Sequence, residues 1–217
     1  MKPNYEKAAT LALKVLKENK ITAAPVIPLP IIKNMEGVVA MPFADLAAEM
    51  GMDRGELVPM FGENQDAVTF HLGGRRARYV VAYNQYLPLD MIRRAAAREL
   101  GHIVLGHDGT RPVDVRMEEA MCFARHLLFP RPLIHAIQES GLPLTVEVVG
   151  SITGCYERCL AGLRKTPGVY VDPALNREIK EQFSGFIQNF TDLQALLSKG
   201  DKSRLADFGS FMVNYEE

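Results

Sequence analysis

The chain has 217 residues, 47% hydrophobic and 24% charged, which is ordinary globular usage and excludes a disordered or fibrous chain. Lys and Arg total 25 against 26 Asp and Glu, a formal net charge of -1. No basic excess therefore marks it as a nucleic-acid or membrane-surface protein.

The opening Lys2-Pro3-Asn4-Tyr5-Glu6-Lys7 has no apolar signal core, so export is not expected. Ala8, Leu11, Ala12, Val15 and Leu16 then recur at helical spacing and predict an amphipathic helix over 5–19. The apolar run from Ile21 to Ile32 is broken by Pro25, Pro28 and Pro30 and is too short to span a bilayer. Its proline-rich part, Pro25 to Pro30, is expected to run extended. A short strand is predicted near Val38 to Met41, then a helix from Phe43 to Met50 ended by Gly51. Two strand-like runs follow, Ala67 to Leu72 and Arg78 to Tyr83, joined by Gly73-Gly74-Arg75-Arg76 as a hairpin. From Pro88 the pattern is helical. Leu89 to Leu105 is stopped by Gly106 and Gly109, and Glu118 to Leu128 by Pro130 and Pro132. Shorter helices are predicted near 133–139, 145–163, 173–190 and 191–198, with Asp172 capping the one that begins at Pro173. The fold class is α+β: a small antiparallel sheet early, a helical body after it.

Several features have bland readings. Ala44 to Gly51 imitates the first half of a helix-turn-helix, but Met52-Asp53-Arg54-Gly55-Glu56-Leu57 is acidic and broken by glycine, so direct nucleic-acid binding is not expected. Cys155 and Cys159 share a helix face and could in principle hold a metal with Cys122, but three sparse cysteines suit buried thiols in a reducing, cytoplasmic setting. His71, His126 and His135 stand isolated among apolar neighbours.

The informative stretch is Arg98-Glu99-Leu100-Gly101-His102, one step from the zinc-peptidase pattern HExxH. In that pattern two histidines a helical turn apart bind zinc, and the glutamate acts as base on the bound water. A lone Glu-x-x-His is weak. Here it extends to Leu105 and His107 and is followed by Glu119-Ala120-Met121-Cys122-Phe123-Ala124 and then Leu127-Leu128-Phe129-Pro130. Together these resemble the ImmA/IrrE family of gluzincin-like metallo-endopeptidases, whose pattern is close to A-H-E-L-G-H-x-x-L-x-H, then E-A-N-x-F-A-x-x-L-L-x-P. Tyr83-Asn84 before Pro88 is similar to the family's approach to its zinc helix, and the resemblance covers about residues 5 to 135.

The resemblance implies a zincin-like fold, with a metallopeptidase-like domain over 1–138 and a helical C-terminal extension over 139–217 packed on it. Residue by residue, it implies that Glu99 stands as catalytic base, His102 as second zinc histidine and Glu119 as carboxylate ligand. Arg98 replaces the first zinc histidine, and Met121 replaces the asparagine near the ligands. A guanidinium has no available lone pair and stays charged, so it cannot ligate zinc. Two readings compete. One is a degenerate peptidase, inactive or zinc-free with no cofactor expected, that binds a protein or extended peptide; the family's usual neighbours suggest a transcriptional repressor of a mobile element, such as a prophage. The other is an active zinc endopeptidase in which Cys122 or His126 replaces the missing ligand. Three structural expectations follow. Arg98 should pair with Glu119 in place of zinc; His107, at 140° from His102 on an extended helix, should point elsewhere; and the 67–83 hairpin should lie beside the 89–105 helix as the edge of a groove.

Overall fold

The computed structural model describes residues 1–53, 66–72, 78–154 and 169–198. The hairpin turn at Gly73 to Arg76, Cys155, Cys159, the later part of the 145–163 helix and most of Met52 to Leu57 lie outside the described residues.

In chain order the elements are α1 (Tyr5–Glu18), α2 (Pro28–Lys33), β1 (Val38–Pro42), α3 (Phe43–Glu49), β2 (Ala67–His71) and β3 (Tyr79–Tyr83). Then come α4 (Leu89–Val104), α5 (Val113–Leu128), α6 (Arg131–Glu139), α7 (Val146–Thr153), α8 (Pro173–Gln182) and α9 (Ser184–Ser198). The α+β class holds, with helices predominating. No described helix is long and apolar enough to cross a membrane.

The sheet order is β1-β3-β2, with β2 antiparallel and β1 parallel to β3. It is therefore mixed, where a purely antiparallel sheet was expected. The reason is topological: the long connection through α3 lets β1 dock on the far side of β3, whereas the few residues between β2 and β3 permit only an antiparallel pair. A second correction concerns Pro28 and Pro30, which sit in the first turn of α2 and not in extended chain. First-turn N–H groups have no intrahelical partner, so proline costs nothing there and its fixed φ suits the turn. Helix α5 also begins five residues before the predicted Glu118, at Val113 just after Pro112.

Alternation along the strands makes the sheet a divider. Val68, Phe70 and Ala82 pack with Phe43 and Ala47 of α3 in a small apolar cluster. On the other face Val38, Ala40, Tyr79 and Val81 join the main core with Ala96, Ala97 and Leu100 of α4. That core continues through Leu13 and Leu16 of α1 and Phe123 and Leu127 of α5 to Leu175, Ile179 and Phe183 at the C-terminal side. The described helices beyond residue 139 thus share one core with the rest. Gln182 adds polar ties, its amide donating to the carbonyls of Leu16 (2.9 Å) and Ile21 (2.6 Å).

The junction that positions the site is α4 against α5. Gly101 lies where a Cβ would meet the Phe123 ring at 3.0 Å and the Ala120 carbonyl at 3.2 Å. A side chain there would have to push these neighbours back by a few tenths of an ångström, so the glycine lets α4 and α5 pack closely beside His102 and Glu119.

Candidate functional site

Between β2, the end strand of the described sheet, α4 and the start of α5 lies a cavity of about 220 Å³. Val68, Thr69 and His71 line it from β2; Arg98, Glu99 and His102 from α4; Val113, Arg116 and Met117 from α5; Tyr79 and His107 complete it. The expected groove beside α4 is present.

Arg98 turns inward but not to Glu119. It pairs with its chain neighbour Glu99, Nε to Oε1 at 2.9 Å, and donates from Nη2 to the Ala67 carbonyl at 3.2 Å. The expected Arg98–Glu119 bridge is replaced by an Arg98 clamp between α4 and β2. Glu99, 4% exposed, also accepts from the Thr69 hydroxyl at 2.8 Å. Burial pushes the Glu99 pKa up; the Arg98 charge and the hydrogen bonds from Thr69 and Arg98 oppose this without cancelling it.

Glu119, 1% exposed, is held by three other donors. The Asn4 backbone N–H reaches Oε1 at 2.7 Å, while His107 Nε2 (2.9 Å) and Arg111 Nη1 (2.7 Å) reach Oε2. Burial is the largest influence on this carboxyl and raises its pKa. The Asn4, His107 and Arg111 hydrogen bonds and the Arg111 charge together outweigh it and hold Glu119 below the ordinary range. Asn4 is also the N-cap of α1, accepting from the Lys7 amide, so a buried carboxylate faces the positive end of that helix.

His107 does not point away. Helix α4 ends at Val104, Gly106 takes φ +66°, and the amides of Gly106 and His107 donate back to the carbonyls of Ile103 and His102. This Schellman ending folds the chain over the helix terminus, so helical angular spacing no longer applies beyond it. His107 Nδ1 lies 2.9 Å from His102 Nδ1, completing a chain His102–His107–Glu119. Because an ionised carboxylate only accepts, His107 donates from Nε2 and must accept at Nδ1; His102 then donates from Nδ1, and its Nε2 carries a lone pair. No partner for His102 Nε2 exists among the described residues. Burial, then His107, Arg98 and Arg116, hold the His102 pKa down to about 4, so this ring is neutral at ordinary pH. Sequence reasoning misread His107, although the final histidine of the quoted family pattern falls on it. Arg111 carried no sequence signal.

The remaining candidates lie off the cavity. Cys122 packs beside His126, Sγ to Nδ1 at 3.7 Å, and burial pushes its thiol up to about 11. His126 Nδ1 is 2.9 Å from the Cys122 carbonyl oxygen, and burial lowers its pKa. Met121 is half-exposed on α5, and His135 is exposed on α6.

A catalytic zinc takes three protein ligands and a water. Here Arg98 offers no donor atom, His102 offers one free nitrogen, and both Glu119 oxygens are already engaged. Among the described residues no group of three or more His, Cys, Asp or Glu side chains converges to hold a metal. The donor set does not fit the zinc centre that the motif implies.

Residues 59–147, a span holding β2, β3, α4, α5 and α6, match the family model of the IrrE N-terminal-like domain. That segment is an ImmA/IrrE metallopeptidase-like domain. The match encloses Arg98, Glu99, His102, His107 and Glu119 in one segment, which is the segment that builds the cavity. No curated protein and no solved structure matches the chain.

Proposed function

We propose that this ImmA/IrrE-like domain works by binding an extended protein segment in the β2–α4–α5 groove, without zinc and without peptide hydrolysis. The observation that carries the reading is the fate of the two carboxylates at the motif. Glu99, at the base position, is neutralised by Arg98, and Glu119, at the ligand position, is saturated by Asn4, His107 and Arg111. A zinc-water mechanism needs the first free to take a proton and the second free to coordinate. Placement weakens the rival reading, an active enzyme recruiting Cys122 or His126: the two side chains face each other in the core and not the cavity.

Binding by strand addition is supported by the edge of β2. The Asp66 carbonyl and the Leu72 amide pair with β3, so the even positions of β2 face β3 and the main-chain groups of 67, 69 and 71 face outward. Arg98 occupies the Ala67 carbonyl and Glu99 the Thr69 amide, which leaves the Thr69 carbonyl and the main-chain groups of His71 to meet an incoming strand. A repressor-type regulator of a mobile element is the partner class that the family resemblance suggests, and the site is cytoplasmic on this reading.

Metal analysis of the full chain purified without added zinc tests the first half: about one zinc per chain would overturn it. The second half is tested by retention of an immobilised nonapeptide library. His71→Pro removes an outward N–H while leaving the β2–β3 ladder intact, so retention should fall in that variant. A library that is not retained at all, or is retained equally by the variant, would overturn strand addition.

A further inference from the structure

The groove is chemically lopsided. Arg98 is answered by Glu99, and Arg111 by Glu119, but Arg116 on the same wall has no carboxylate partner among the described residues. Its Nε donates to the Arg111 carbonyl at 3.1 Å, which fixes the stem and leaves the two terminal nitrogens of the guanidinium unused. The side chain is half-buried and lines the cavity, close enough to His102 to depress the pKa of that ring. The one carboxylate among the described residues lining the cavity, Glu99, is committed to Arg98 and Thr69.

The same helix exposes Val113 (67%), one turn before Arg116, and Met117 (38%), its chain neighbour, both of which line the cavity. Met121, 42% exposed, continues this row at the next i+4 position. Exposed valine and methionine in register along a groove wall mark a surface that gains from being covered.

We infer that the groove selects an extended segment carrying a carboxylate, placed on Arg116, next to an apolar side chain seated on Val113 and Met117. The inference rests on the peptide-binding reading above and names its ligand chemistry. An unpaired guanidinium with two free terminal nitrogens matches a carboxylate in bidentate geometry, and a partly desolvated charge of one sign favours its opposite. The carboxylate belongs either to an Asp or Glu side chain or to the C-terminus of the segment.

The test uses the full chain and a positional-scanning nonapeptide library made in two forms, with free and with amidated C-termini. An acidic residue should be preferred at one position over its amide by about tenfold, with an apolar preference at a neighbouring position. A preference confined to the free-acid library would assign the carboxylate to the peptide terminus. Arg116→Gln should abolish the acidic preference and keep the apolar one, Arg116→Lys should keep part of it, and Met117→Glu should abolish the apolar preference. Unchanged thermal unfolding of the variants would show that each is folded. Peptides bound with no acidic preference, or with one that survives Arg116→Gln, would overturn this inference while leaving groove binding in place. No retention of either library would overturn the peptide-binding reading itself.

Discussion

Glu119→Gln is the sharpest probe of this site, because a metal ligand and a structural carboxylate predict different consequences for stability. In a protein that relies on zinc, removing the ligand matters chiefly when zinc is present. Here the carboxylate accepts three hydrogen bonds from protein donors, Asn4, His107 and Arg111. A glutamine has one acceptor oxygen and turns an NH₂ toward the other side, so at least one buried donor is stranded. That costs about 1–3 kcal/mol, and losing charge assistance on the remaining bonds adds about 1 kcal/mol. The Arg111 side chain is 35% exposed and recovers part of its loss from water, while His107 at 1% cannot. The expected destabilisation is therefore about 2–4 kcal/mol in urea unfolding of the full chain, equal with and without a chelator. The adjacent Glu118→Gln serves as control. It removes only an exposed contact with the Tyr5 hydroxyl and should change little. An E119Q protein within about 0.5 kcal/mol of the unmodified chain, or one destabilised only when zinc is available, would refute the structural assignment of this carboxylate.

Arg98→His should raise zinc affinity measured by calorimetry, and Arg98→His with Arg111→Ala should raise it further, because the first change supplies a nitrogen and the second frees Glu119; equal tight binding by the unmodified chain would contradict both. Gly101→Ala should destabilise by roughly 1–2 kcal/mol in thermal unfolding despite the better helix propensity of alanine, since the added methyl meets the Phe123 ring and the Ala120 carbonyl. Stability should fall as pH drops from about 6.5 toward 4. Burial lowers the pKa of His102, His107 and His126, so the unfolded chain takes up protons in that window that the folded chain refuses. Glu99, whose pKa is raised, acts in the opposite sense by binding its proton more tightly when folded. Glu119, whose pKa is lowered, stabilises above the unfolded carboxylate value and loses that contribution as pH falls through its folded value. Denaturant midpoints across pH 4 to 8 would check the sign.

What was legible in the sequence followed from local rules. Helical spacing placed α1 and α4, β-branched runs placed β2 and β3, and Asp172 does cap α8 through the Ala174 amide. The α+β class followed from that order of elements, and the family resemblance from the motif and its downstream signature. What was not legible depended on contacts far apart in the chain. The mixed sheet requires knowing where β1 docks, and nothing in Val38 to Met41 states that. Asn4 donates to a carboxylate 115 positions away, and no spacing rule connects them. His107 is a subtler failure. Helical angular spacing holds only inside a helix, and Gly106 ends the turn before His107 is reached.

The same distinction explains why arginine fits at position 98. Zinc in such a site ties α4 to α5 by sharing ligands from both. On the zinc-free reading that tie is divided into two clamps. Arg98 and Glu99 hold α4 to β2 through Ala67 and Thr69, while His107, Arg111 and Asn4 gather the α4–α5 loop and the start of α1 onto Glu119. His102, one helical turn from Arg98 on α4, meets the second clamp through its contact with His107 at 2.9 Å. Mutational effects on the two sides should therefore be nearly additive, apart from coupling through that contact. A double-mutant cycle of Arg98→Ala with Arg111→Ala, read by urea unfolding, is expected to show an interaction energy below about 0.5 kcal/mol. An Arg98→Ala cycle with Glu99→Gln should show a clearly larger one, because those partners touch. A strong coupling between Arg98 and Arg111 would mean that both arginines balance one shared charge, and the two-clamp description would have to be abandoned.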